Sequence, residues 1–110
     1  MGAAGVALAA AAAHLAASGQ APNLQLASGF LIFHALALLG VAALTRATER
    51  WLRIAGALFS LGSLCFSGGL ALVAAIGQGV APLVPVGGTA LILGWIALSV
   101  SAVFDRPPTT

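Results

Sequence analysis

The sequence predicts an all-α membrane protein, an antiparallel bundle of four transmembrane helices, and three observations carry that prediction. Of the 110 residues, 61% are hydrophobic and only 5% are charged, with a mean hydropathy of +1.12. A soluble domain carries about 25% charged residues, so this surface suits lipid rather than water. Four apolar runs approach or reach spanning length and alternate with short separators. With four crossings, every arginine falls on one face of the membrane.

The runs are taken in order, as one membrane domain. Residues 2–17 are short and alanine-rich. Ala16 and Ala17 would suit signal cleavage, but the run lacks the basic segment that opens a secretory signal. It therefore reads as a retained helix. The separator SGQAPNL follows, and its Pro, Gly and polar residues punctuate helices. Residues 25–45 form the second run. The separator RATERWLR leads into the third, residues 51–76, which is free of charge from Ile54 onward. The separator GQGVAPLVP precedes the fourth, residues 86–104, and Pro85 suits a first helical turn. GQGVAPLVPVGG is glycine-rich but lacks the lysine and spacing of a phosphate-binding loop, so it reads as a stiff connection. The tail DRPPTT is a helix stop with a short disordered end.

Charge sets the topology. Arg46, Arg50 and Arg53 lie with Glu49 around the second separator, and Arg106 follows Asp105 in the tail. The other two separators carry no side-chain charge. Arginine-rich short loops stay cytoplasmic, which predicts a multi-pass protein of the bacterial inner membrane with both termini inside. The isoelectric point near 10.2 arises because little opposes four arginines. Without a basic face interleaved with aromatic residues, nucleic acid is not a partner. Cys65 is the single cysteine and forms no internal disulfide.

Helices in lipid associate through close approach at small residues, not through burial alone. Gly56, Ser60, Ser63, Ser67, Ala71 and Ala74 share one face of the third run. Gly87, Ala90, Gly94, Ala97 and Ser101 do so on the fourth, which predicts close contact between these two helices. Ser60, Ser63 and Ser67 read as packing residues whose hydroxyls bond back to the carbonyl one turn earlier. The other reading is a polar path. Trp51 lies beside Arg50 and Arg53, where an amphipathic ring anchors a helix. Trp95 is near mid-span, and its indole N–H needs a partner, expected to be a serine or a carbonyl of a neighbouring helix.

His14 and His34 are the two histidines. Charge is expensive in hydrocarbon, and no carboxylate lies in any run, so a proton relay lacks its usual partner. His14 lies about 6 Å and His34 about 14 Å below the outer boundary at the helical rise. An offset of about 8 Å is awkward for two axial ligands of one haem, and a metal ion lacks further ligands. Both histidines are expected to make interhelical hydrogen bonds, with His34 facing the interior. No catalytic constellation, cofactor site or metal site is predicted.

The segments FHALALLGVAAL, RIAGALFSLGSLCFSGGLALVA and APLVPVGGTALILGW resemble the YgdD-like small membrane proteins, known as domain of unknown function 423. The chain is similar to the transmembrane protein 256 group as well. The resemblance covers residues 30–95 and carries over to His14, His34, Ser67, Gly68, Pro82, Pro85, Gly87 and Gly88. It implies four spans in a bacterial or mitochondrial inner membrane, and no assigned activity. There are departures. The family places a Gly-Ala-His-like motif, with glycine and phenylalanine, at the end of the first span, and here AAAAHL keeps only His14. Gln and Tyr usually precede the second-span histidine, and GFLIFH has neither, so any ligand they served would be lost here.

The function expected is that of a non-enzymatic accessory or structural subunit of a larger membrane complex, such as a respiratory-chain assembly. Its partners would be the lipid bilayer and neighbouring membrane subunits. The alternative is a small proton or solute transporter that works as an oligomer.

Overall fold

A computed structural model of the chain describes residues 1–44 and 49–105. It has four α-helices: α1 (Gly2–His14), α2 (Ala21–Leu44), α3 (Arg50–Ile76) and α4 (Leu83–Phe104). Single 3-10 turns at Ala16–Ser18 and Gln78–Val80 lie in two of the connections. No strand occurs among the described residues. The all-α expectation holds, and α2, α3 and the segment Gln78–Phe104 are each long and apolar enough to cross a membrane. The first helix differs from expectation. Its 13 residues extend about 20 Å, against a hydrocarbon layer of about 30 Å.

Local chemistry explains where the boundaries moved. The separator SGQAPNL was expected to lie outside the second helix, yet α2 begins at Ala21. Pro22 fits its first turn, where the missing N–H has no intrahelical acceptor to serve. Pro85 does the same in the first turn of α4, which starts at Leu83 rather than 86 with Pro82 as its N-cap. Gly19 at φ +73° and Gly77 at φ +91° turn the chain after Ser18 and after α3, in a region that side chains avoid.

α3 is the central helix, packed on α4 along one face and on α2 along another, while α1 lies on α2. The α3–α4 seam is antiparallel and very close. A Cβ at Gly62 would lie 2.9 Å from Leu91 Cγ, and one at Gly94 2.7 Å from Phe59 Cδ1. The close contact expected between these helices is present, but on a different face of α3. Phe59, Gly62, Phe66 and Gly69 meet α4, whereas a Cβ at Gly56 would approach Val41 of α2. Ser63 and Ser67 are buried toward α1 and α2, beside Ala7, Ala11 and Leu31. On α4, Gly87, Leu91, Gly94, Ala97 and Ser101 are buried, so Leu91 takes the place expected of Ala90.

Asp105 joins the same ends of the two helices. The Leu52 N–H donates to its Oδ2 at 2.9 Å, which satisfies one free donor at the start of α3 and sets a negative charge at the positive end of the helix dipole. Arg50 and Arg53 are exposed on this end. Arg46 and Arg106, the other two topology residues, lie outside the described residues.

Candidate functional site: an aromatic groove around His34 and Trp95

His34 sits mid-way along α2 and is 3% exposed. Its Nδ1 lies 2.8 Å from the Phe30 carbonyl oxygen, one turn earlier on the same helix. A carbonyl only accepts, so the ring proton sits on Nδ1 and Nε2 keeps its lone pair. Trp95 of α4 completes the arrangement: its Nε1–H donates to His34 Nε2 at 3.3 Å. His34 faces the interior and bonds to another helix as expected, but it does so as an acceptor, while its own N–H serves a carbonyl of α2 rather than a carbonyl or serine of a neighbour. Trp95, however, finds an imidazole instead of the serine or carbonyl expected. Both ring nitrogens are thus engaged, Nδ1 as a donor to its own helix and Nε2 as an acceptor from Trp95.

Aromatic rings enclose this pair. Phe59 of α3 lies 5.5 Å from the His34 ring and 4.9 Å from Trp95, centroid to centroid. Phe33 meets the imidazole nearly edge-on at 5.4 Å. Phe30 packs on Phe66 at 4.5 Å, tying α2 to α3. Three of the five phenylalanines, Phe30, Phe33 and Phe59, therefore gather around one histidine, and Phe66 joins them through Phe30. Such tilted and edge-to-face pairs suit the ring quadrupole.

Beside the cluster, residues of α2 and α4, with Phe66 of α3 behind them, line a groove of about 700 Å³ that is open on one side. Phe33 (57% exposed) and Trp95 (39% exposed) form its walls, and His34 lies at the bottom. Gly29 of α2 and Gly88 of α4 face the space. A Cβ at Gly29 would meet nothing within 4 Å, and one at Gly88 only the Phe66 ring at 3.6 Å. Gln25 stands at one end of the groove, nine residues and about 14 Å along α2 from His34.

The other residues singled out from sequence lie elsewhere. His14 ends α1, exposed, and takes no part in the His34 cluster, contrary to its expected interhelical bond. Ser60 donates back to the Gly56 carbonyl at 2.9 Å, as expected for a packing serine. Ser63 and Ser67 do not: both are enclosed, at 0% and 1% exposure, and their hydroxyls have no hydrogen-bond partner. Trp51 is exposed in the first turn of α3, beside Arg50 and Arg53. Among the described residues, no three His, Cys, Asp or Glu side chains gather as a metal site would require.

Sequence reasoning missed three features. Ser28 donates to the Gly5 carbonyl at 2.7 Å and fastens α2 to α1. The phenylalanine cluster was readable, since Phe59 and Phe66 are seven residues apart on one helical face. The His34–Trp95 pair was readable too. Each residue lies nine positions inside the predicted start of its run, at 25 and 86, and both runs leave the same side of the membrane.

The sequence model of the family described as "Protein of unknown function (DUF423)" matches residues 8–88. The match includes His14, His34 and Gly88 and stops short of Trp95. No curated protein and no solved structure matches. The narrower likeness to the YgdD-like and transmembrane protein 256 groups therefore rests on the quoted motifs.

Proposed function

We propose that this chain, which belongs to the DUF423 family of proteins of unknown function, is a non-enzymatic membrane protein that acts through its lateral surface. It holds a lipid-soluble occupant in the groove between α2 and α4 and serves as an accessory subunit beside larger membrane proteins. The groove carries this reading. An opening of about 700 Å³ on the helix flanks, walled by exposed Phe33 and Trp95, supports entry from the bilayer, since α2 and the segment that holds α4 are long and apolar enough to lie within it. Apolar pockets of this size with a few convergent polar groups are the usual form of small-molecule sites. The transport alternative draws less support, because the groove opens to the side and the Ser63 and Ser67 hydroxyls are enclosed.

Trp95 is its own reporter. With Trp51→Phe it becomes the only tryptophan. Phospholipids brominated on the acyl chains, in reconstituted bilayers, are expected to quench its emission strongly. Quenching no greater than that of a tryptophan enclosed in protein would refute a bilayer-accessible groove. The accessory role is tested by co-purification in mild detergent followed by mass spectrometry, where a reproducible membrane partner is expected. Recovery of the protein alone would count against it.

The same reading places the chain in a bacterial inner membrane with both termini cytoplasmic; Arg50 and Arg53 beside Asp105 at one end of the helices support this for the C-terminus, whereas the N-terminus follows from a crossing by α1. Cysteines introduced at Arg50 and at Gln78, in a Cys65→Ala background, are expected to label from opposite sides. Labelling from one side would overturn the topology.

A further inference from the structure

We propose that the occupant of the α2–α4 groove is a flat, lipid-soluble ring bearing an oxygen, of the prenylated quinone or quinol class. This inference rests on the reading that the groove is open to the bilayer.

Three features of the groove select a ring over an acyl chain. Its lining is aromatic: Phe30, Phe33, Phe66 and Trp95 present ring surfaces to one space. An acyl chain gains nothing specific from such walls, whereas a flat ring gains offset or edge-on contacts with each. Next, both facing helices place glycine there. Gly29 and Gly88 leave the walls bare at the level between Gln25 and His34, so a planar body slides in without displacing a side chain. Finally, the polar groups at the bottom are a donor and an acceptor. The indole N–H of Trp95 can only donate. His34 Nε2 can only accept while the Phe30 carbonyl holds the ring proton on Nδ1.

That pair is complementary as a whole to a quinol hydroxyl, and through its donor alone to a quinone carbonyl. A quinone carbonyl accepts from Trp95, and a quinol hydroxyl accepts from Trp95 while donating to His34 Nε2. The bond between the two side chains is 3.3 Å, longer than the usual range of about 2.7–3.2 Å, so exchanging it for a ligand bond forfeits little. A saturated chain has nothing to offer either group and would leave the bond in place. The groove volume of about 700 Å³ suits a substituted ring and the first part of its tail, with the remainder leaving sideways into lipid.

The test uses the full chain with Trp51→Phe, in lipid nanodiscs, titrated with a decyl-substituted benzoquinone while Trp95 emission is read. Saturable quenching is expected, superimposed on the linear collisional quenching of any bilayer tryptophan. Gly88→Leu fills the groove and is expected to raise the half-saturating concentration by at least about tenfold. Gly29→Leu, on the opposite wall, repeats the arm if circular dichroism shows the first variant misfolded. Linear quenching in the parent protein, or saturation unchanged by both leucines, overturns the proposal. Brominated acyl chains separate the two readings. If they quench Trp95 but the quinone does not saturate, the groove holds lipid chains and only the ring inference fails. If neither occurs, both readings fall.

Discussion

Gly87→Ala is expected to destabilise the protein far more than Gly88→Ala, one residue along the same helix. A Cβ on Gly87 would lie 2.7 Å from Phe66 Cα and 2.8 Å from the Cys65 carbonyl carbon, and closer still to the Phe66 amide nitrogen. All three are backbone atoms, so no rotamer change makes room. Moving the Phe66 Cα alone out to 3.4 Å from the new methyl, where ordinary packing begins, requires α3 and α4 to part by about 0.7 Å, and the closer amide nitrogen requires more, so this gap is a lower bound. A gap of that size forfeits a quarter to a half of each dispersion interaction along the seam. Leu91, at 3% exposure, gains dispersion energy from on the order of 40 atom pairs; a quarter of that at about 0.15 kcal/mol per pair is about 1.5 kcal/mol. Phe59 over Gly94 loses a similar amount. Alanine returns about 1 kcal/mol of helix propensity, so the net cost is at least about 2 kcal/mol. Gly88→Ala gains the same propensity and meets only the Phe66 ring at 3.6 Å, so it should be neutral or stabilising. Equilibrium unfolding in mixed micelles of dodecyl maltoside and SDS, followed by circular dichroism, measures both. Equal stabilities for the two variants would refute the close-approach argument.

Three further predictions follow from the hydrogen bonds. Nitrogen-15 NMR should find His34 protonated on Nδ1 and not on Nε2, and Trp95→Phe should shift the Nε2 resonance; the opposite tautomer would remove the donor–acceptor pair. Ser63→Ala and Ser67→Ala should be neutral or stabilising, because they delete hydroxyls that bond to nothing, whereas Ser28→Ala should cost about 0.6 kcal/mol by loosening α1 from α2. A larger loss at Ser63 than at Ser28 in the same unfolding assay would contradict this assignment. Asp105→Ala should cost about 1 kcal/mol, the usual worth of a helix cap, and should increase hydrogen exchange at the Leu52 amide. Unchanged exchange there would count against the cap.

Fold class, the extent of α3 and the seam between α3 and α4 were legible, because hydropathy and small-residue spacing report directly on what lipid and close packing demand. The face of α3 in that seam was not. This helix carries two small-residue faces, one through Gly56, Ser60, Ser63 and Ser67, the other through Gly62 and Gly69 alternating with Phe59 and Phe66. As the central helix it uses both, and a single-helix pattern does not say which neighbour each face meets. The serine face attracted notice by its polarity. The glycine face makes the closer contact, since hydrogen as a side chain admits a backbone where a hydroxyl does not. The start of α2 was misplaced for a related reason: Pro22 breaks a helix in its interior but is tolerated in its first turn. Nor did hydropathy show that α1 ends at His14, because the alanine run continues to Ala17 and only the turn toward Gly19 stops the helix.

The seam and the groove are one construction. Gly87 presses α4 onto Phe66, and Gly94 presses it onto Phe59. Those two phenylalanines in turn touch Phe30, His34 and Trp95, the residues that shape the groove. Gly88, adjacent to Gly87 and turned about 100° around the helix, faces the open side. Helix periodicity thus assigns one glycine to packing and its neighbour to the cavity. In a bilayer a gap between helices tends to close or fill with lipid, since no water stands between them to resist association. Behind this one stands α3, whose Phe66 lines the space beside Gly29 and Gly88. The depth of the His34–Trp95 pair is then fixed by the same contacts that hold the helices together, so the chemistry of the groove and the stability of the fold should respond together to any change along the α3–α4 seam.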